Sequence, residues 1–187
     1  MSLTSVSLGY CTRLGALPKT VNMASNPSSA SPLFLREAEI RRGIELLFFA
    51  HSELMRSGDA ILEAHAIGRA HHRALYFIAR KPGLAVGELI KLLGITKQSL
   101  GRVLNELEEL GLIEREQGQR DRRQTLIRLT SSGETLESEL FAAFREKMIA
   151  SYRDTGPAAV TGFWTVLEEL LTDDMRKRAA DLSNQGK

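Results

Sequence analysis

The chain holds one cysteine, Cys11, in 187 residues, and one thiol closes no internal disulfide, so no oxidised scaffold supports the fold. Cys11 lies in a Ser/Thr-rich leader without the electropositive, structured setting that makes a sensor thiolate, which argues against redox sensing. Long apolar runs are missing as well. Apolar runs such as Leu46-Leu47-Phe48-Phe49-Ala50 fall far short of the roughly 20 residues that span a bilayer. No basic segment precedes the weakly apolar start and Arg13 interrupts it, unlike a secretory signal. The expectation is a cytoplasmic protein with no membrane contact. No phosphate loop, nucleophile elbow or Cys–His pair occurs, so neither an enzyme nor a cofactor is expected. The histidines do not suggest a metal site either. His71 and His72 are adjacent and point about 100° apart on a helix, while His65 and His72 would lie about 10 Å apart on a continuous one.

What is present is a globular composition, 43% hydrophobic and 26% charged, with its charge unevenly placed. Residues 1–67 carry 6 basic and 6 acidic side chains, residues 68–130 carry 12 against 7, and residues 131–187 carry 7 against 10. A polyanion would be met by the middle third.

Residues 1–32 show no sustained period and end in Asn26-Pro27-Ser28-Ser29-Ala30-Ser31-Pro32, a flexible lead-in that contributes nothing to the fold. Met23 is a candidate for the natural start. From Phe34 the pattern is helical, with Ile40, Ile44, Leu47, Phe48 and Leu54 on one side. Ser57-Gly58-Asp59 ends that helix, and Asp59 is expected to cap a short one. Another helix runs from about Arg69 to Arg80, with Ala70, Ala74, Phe77 and Ile78 inward, before Lys81-Pro82-Gly83 forces a turn.

Val86 to Leu93 gives a short helix stopped by Gly94. After the link Gly94-Ile95-Thr96 a second helix starts with Thr96 as N-cap, buries Leu100, Val103, Leu104 and Leu107, and ends at Gly111. Two short helices about a tight glycine turn form a helix-turn-helix. A strand over Leu112–Glu116, the polar turn Gln117–Arg123 and a returning strand over Gln124–Leu129 add a wing. Two further helices follow, one with Leu136, Leu140, Phe144, Met148 and Tyr152, the other with Val160, Phe163, Trp164, Leu167, Leu170 and Leu171. These helices and the first carry more apolar surface than the small reading head covers, so a second copy of the chain is expected on them.

On the second helix Gln98, Arg102 and Asn105 share the face opposite the leucine stripe. Gln and Asn can pair bidentately with adenine, and Arg with guanine. Thr96, Lys97 and Ser99 surround the helix N-terminus, where free N–H groups and the dipole favour a phosphate. Arg120, Arg122 and Arg123 crowd the wing tip around Asp121 and suit a narrow, negative minor groove.

The combination Leu107-Glu108-Glu109-Leu110-Gly111-Leu112-Ile113, Arg115, Asp121-Arg122-Arg123 and Leu129-Thr130-Ser131-Ser132-Gly133 closely resembles the MarR family. Gly68-Arg69-Ala70-His71-His72-Arg73 and the Ile95–Leu100 turn are similar to its PetP-like branch. The resemblance implies a mainly α fold with a small β-hairpin wing. A winged helix-turn-helix over 69–133 would be flanked by N-terminal (33–68) and C-terminal (134–187) dimerisation helices. It further implies a homodimer on a palindromic double-stranded operator and a small phenolic or lipophilic effector between the dimer helices and the reading head. Arg123 would enter the minor groove, oriented by Asp121, and Gln98, Ser99 and Arg102 would touch bases and phosphates. Val86 departs from the pattern, since the family usually has a capping Ser or Thr there. The competing reading is a winged-helix module that binds an acidic protein partner, because a fold does not dictate function.

Overall fold

The computed structural model describes residues 32–119 and 121–184. Cys11, Met23, nearly all of the expected lead-in over 1–32, and Arg120 lie outside the described residues. The chain divides at Gly43 into two units. The first contributes a short 3-10 turn, Pro32–Leu35, and the start of helix α1 (Glu37–Arg56), where Arg41 pairs with Glu37 one turn earlier at 2.6 Å.

The second unit begins within α1 and continues through α2 (Asp59–Ala64), α3 (Arg69–Arg80), β1 (Leu84–Ala85), α4 (Val86–Leu93), α5 (Lys97–Glu109), β2 (Ile113–Gln117), β3 (Thr125–Leu129), α6 (Ser131–Thr155), α7 (Pro157–Glu169) and α8 (Asp173–Asn184). The expected helices and hairpin are present, within a residue or so at most ends. Three features depart from expectation. Leu84–Ala85 adds a third strand, so the sheet order is β1-β3-β2, antiparallel throughout. A separate α8 follows Leu171-Thr172. Asp59 does not cap α2: Gly58 occupies the N-cap without a side-chain bond, and the Asp59 carboxylate takes a bidentate contact from Arg69 at 2.9 and 2.6 Å. That guanidinium holds the Asp59 carboxyl below its usual range, and a charged two-bond partner outcompetes one weak cap bond.

The core is built where α3, α4, α5 and the sheet meet. Leu75, Leu84, Leu89, Leu100, Leu107, Ile127 and Leu140 are fully buried, each such side chain contributing about 1.5–3 kcal/mol of transfer free energy. On α3 the inward residues are His72, Ala74, Leu75 and Ile78. Ala70, expected inward, is exposed, because the helix turns His72 rather than Ala70 toward α6. The Leu-Thr-x-x-Gly run closes the wing onto this core. Thr130 accepts from Gly133 N–H at 3.1 Å as N-cap of α6, and its own hydroxyl donates to the Gly111 carbonyl at 2.6 Å. Gly133 is required there by close approach, since a Cβ would stand 2.0 Å from the Leu112 carbonyl oxygen.

The terminal helices bury almost nothing. α7 has no buried residue, and Phe48, Phe49, Phe163, Trp164, Val166 and Leu170 all stay exposed. Of the α6 residues expected on that free surface, Leu136 and Leu140 are buried in the core, and Phe144 is half-buried. It packs inward over Gly58 and against His72, ring centroids 4.6 Å apart.

Candidate nucleic-acid interface

The reading helix α5 owes its position to its two ends and its buried stripe. Gly94 takes φ 64°, ψ 32°, a left-handed turn that ends α4 and costs a residue with a side chain far more than glycine. Thr96 then caps α5, its oxygen accepting from Ser99 N–H at 3.1 Å. Leu100, Val103, Leu104 and Leu107 are buried, which turns the opposite face out. Thr96, Lys97, Gln98, Ser99, Arg102 and Asn105 are all exposed on it or at its N-terminus. α4 has no comparable cap, since its N-cap is Ala85 and Val86 is its first residue.

The wing is shaped by Asp121. Its Oδ1 accepts from the Arg123 backbone N–H at 3.0 Å and its Oδ2 from the Gln124 side chain at 3.3 Å. The carboxylate therefore fixes the turn's backbone, while the Arg122 and Arg123 side chains remain exposed. Among the described residues, Lys97, Arg102, Arg122 and Arg123 form no salt bridge. By contrast Arg128, lower on the hairpin, is committed to Glu116 at 2.9 Å. Exposed, unneutralised cations on one helix face and one turn make an anion-attracting surface.

Three polar braces that the sequence pattern did not single out hold α5 and its partner helix. His71 on α3 meets Glu106 on α5 at 2.6 Å. Arg73 donates to the Leu93 carbonyl at 3.0 Å, at the end of α4. Arg115 on β2 donates through Nη2 to Asn105 Oδ1 at 2.7 Å and pairs with Glu108 at 3.0 Å. Asn105 is thus engaged within the chain, unlike Gln98 and Arg102. These contacts join residues far apart in the chain and have no local periodicity to reveal them.

Behind α3 lies an apolar cavity of about 510 Å³ between the end of α1, α3 and α6. Leu54, Met55, Phe77, Phe141, Phe144 and Met148 supply apolar wall, and His72, Arg73, Tyr76, Arg145 and Tyr152 supply the polar groups. His72 is only 6% exposed, its Nδ1 has no hydrogen-bond partner among the described residues, and burial pushes its imidazole below the ordinary histidine value. No metal-ligand cluster occurs among the described residues, and no described helix is long and apolar enough to cross a membrane.

Comparison with known proteins agrees with this geometry. A sequence model of the MarR family matches residues 67–124, from the start of the reading head to the wing. The HTH-type transcriptional regulator PetP of Rhodobacter capsulatus is 48% identical over 151 residues, which are 81% of this chain and 91% of the relative. Among solved structures, NadR in complex with 4-hydroxyphenylacetate is similar at 27% identity and a TM-score of 0.59, over 66% of this chain and 88% of NadR. The MarR family transcription regulator SP03579 shares the fold at a TM-score of 0.64 and 18% identity, over 82% of this chain and 99% of its own. The family and the relative are regulators of transcription, not enzymes. On that identity and coverage the chain belongs to the MarR family of helix-turn-helix transcriptional regulators.

Proposed function

We infer that the chain acts as a homodimer on double-stranded DNA, with α5 in the major groove, the wing in the minor groove, and affinity set by a small aromatic ligand. The observation that carries the reading is the face of α5. Gln98 and Arg102 stand exposed and uncommitted above a fully buried leucine stripe, beside a wing whose Arg122 and Arg123 have no acidic partner among the described residues. Gln and Arg edges match base edges in the major groove, and unpaired guanidinium groups match the negative potential of a narrow minor groove. Thr96, Lys97 and Ser99 at the α5 N-terminus suit a backbone phosphate, and Arg120 would join Arg122 and Arg123 at the wing.

A second copy is supported by the uncovered apolar surface of the terminal helices, where Phe48, Phe49, Phe163 and Trp164 are exposed. A two-fold dimer of reading heads reads a palindrome with half-sites about 34–36 Å apart. Deleting residues 158–187 should leave an aggregating or unfolded chain, and a soluble folded monomer by light scattering would refute the dimer.

The cavity supports the ligand. Its wall is apolar with a few convergent polar groups, the usual character of a small-molecule site. The structurally similar NadR was solved with 4-hydroxyphenylacetate, and Arg73 and Arg145 would suit an acidic group on such a ligand. α3 forms one wall of this cavity and carries the braces to α4 and α5, so an occupant that shifts α3 would shift the reading helix. Selection from a randomised duplex library, repeated with and without aromatic acids, tests the whole reading. No enriched sequence would overturn it, and enrichment indifferent to every such acid would overturn the ligand part alone.

A further inference from the structure

Asn105 stands on the exposed face of α5 three positions after Arg102, yet its carbonyl oxygen already accepts one of the two hydrogen bonds it can take. Arg115 reaches it from β2, Nη2 to Oδ1 at 2.7 Å. The assignment of oxygen and nitrogen on that amide is fixed by chemistry: a guanidinium has donors and no acceptor, so only the carbonyl oxygen can face it. Arg115 is itself held. The same nitrogen pairs with Glu108 at 3.0 Å, and the Arg115 side chain is only 25% exposed. Its Nε is buried without a partner among the described residues. The carboxamide of Asn105 therefore has one orientation, oxygen toward the wing strand and NH2 away from it, and no described residue accepts from that NH2.

We propose that Asn105 reads DNA as a donor alone, selecting guanine and rejecting adenine at the base it meets, with Arg115 as the positioning residue that imposes this. The inference rests on α5 lying in the major groove. A free asparagine pairs with adenine by giving its NH2 to N7 and taking the N6 amino hydrogen on its oxygen. With that oxygen held against the Arg115 guanidinium, the adenine N6 amino group is left one lone pair, reached only beside a cationic donor, and a donor that is poorly met when buried is penalised. Guanine offers O6 and N7, two neighbouring acceptors, to the same NH2. The residue type alone points to adenine; the brace from β2 reverses it.

The test is selection from a randomised duplex library with the full-length chain, its Asn105→Ala variant and its Arg115→Met variant. In the wild type, one position per half-site should favour guanine over adenine by about tenfold, the scale of one good base contact. Asn105→Ala should lose that preference at that position only. Arg115→Met frees the carboxamide to turn and should move the preference toward adenine, a change that mere loosening of the wing would not produce. Because Arg115→Met can also weaken the fold, a second measurement does without that variant. Replacing the selected guanine by 7-deazaguanine removes the N7 acceptor and should weaken wild type about tenfold while leaving Asn105→Ala unchanged. Adenine, or any base other than guanine, at the Asn105-dependent position overturns the proposal. So does an operator in which no position depends on Asn105, although the groove reading then survives through Gln98 and Arg102. A chain that selects no sequence removes the groove reading itself.

Discussion

His71 on α3 donates from Nε2 to Glu106 Oε2 on α5 at 2.6 Å, while its Nδ1 accepts from the Gly68 backbone N–H at 3.1 Å. The second contact sets the tautomer that the first one needs. One imidazole thus caps its own helix and ties it to the reading helix, with a side chain only 12% exposed. The next residue, His72, faces the cavity. Under the proposed function, a displacement of α3 by a ligand would reach α5 through this single turn.

The first prediction concerns that tie. His71→Ala removes both bonds and should destabilise the protein by about 1–2 kcal/mol, a hydrogen bond to a charged group discounted for the half-exposed carboxylate. Calorimetry should show a fall in Tm of a few degrees, roughly 2–4 °C per kcal/mol for a chain of this size. Glu106→Gln keeps an acceptor and should lose less than half as much. Equal losses in the two variants would mean that the carboxylate charge, not the neutral hydrogen bond, carries the effect, and no loss in Glu106→Gln would assign it to packing of the imidazole.

His72 supplies a pH dependence. Burial, with no bonded partner at Nδ1, holds its imidazole below the ordinary 6.5. The unfolded chain therefore binds the proton more readily than the folded one. Stability from this group is fully present above about pH 6.5 and is lost as pH falls below that toward the folded value, at no more than about 1.4 kcal/mol per pH unit. Glu137 behaves in the opposite sense: burial raises its carboxyl above the usual value, so its stabilisation fades as pH rises. Comparing wild type with His72→Leu cancels the Glu137 contribution. Melts at pH 7.5 and 5.5 should show a larger acid loss in wild type, and parallel losses would contradict the assignment.

How far the sequence revealed this can be judged from particular residues. The bounds of α3, α4 and α5 were legible because punctuation and periodicity agree there: Lys81-Pro82-Gly83 and Gly94 break the chain, and the leucines of α5 repeat at helical spacing. β1 was not legible, since a strand of 2 residues has no period and exists only because Leu84 pairs with Ile127. α8 was missed because its apolar positions are sparse, with Met175 and Leu182 only partly buried. Asp59 was misjudged by a local rule, as a partner 10 residues away offered two charged bonds. In the interface, the outward direction of Gln98 and Arg102 followed from the helix period. The capture of Asn105 by Arg115 did not, because it depends on how β2 crosses α5.

Gly133 gives a prediction that packing alone decides. Its φ is ordinary, but an added Cβ would stand 2.0 Å from the Leu112 oxygen. That carbonyl cannot swing away freely, since it accepts from Thr130 N–H at 3.1 Å. Gly133→Ala must push apart the start of α6 and the Leu112 link between α5 and β2, at a cost of about 3 kcal/mol, the upper range for overpacking. Urea denaturation should show a lower midpoint at unchanged slope. A midpoint within error of wild type would show that the Thr130–Gly133 turn is looser than drawn.

The last prediction separates the helix from the wing by salt. Gln98 is exposed on α5 and uncharged, so Gln98→Ala should cost about 1–3 kcal/mol per half-site on the preferred operator and little on a scrambled one. Arg123 is exposed at the wing tip, its backbone fixed by Asp121 at 3.0 Å and its side chain without a salt bridge among the described residues. Arg123→Ala should weaken binding to both duplexes alike. Neutralising one phosphate releases about 0.9 counterions on duplex DNA. A dimer that loses two such contacts should therefore show a log K against log salt plot flatter by about 2, whereas Gln98→Ala should leave the slope unchanged. Fluorescence anisotropy at four salt concentrations on both duplexes measures all of this at once. A wild-type slope retained in Arg123→Ala would place the wing away from the phosphates. A slope change in Gln98→Ala would mean that the α5 N-terminus, with Lys97 and the free N–H groups beyond Thr96, had shifted along with the residue removed.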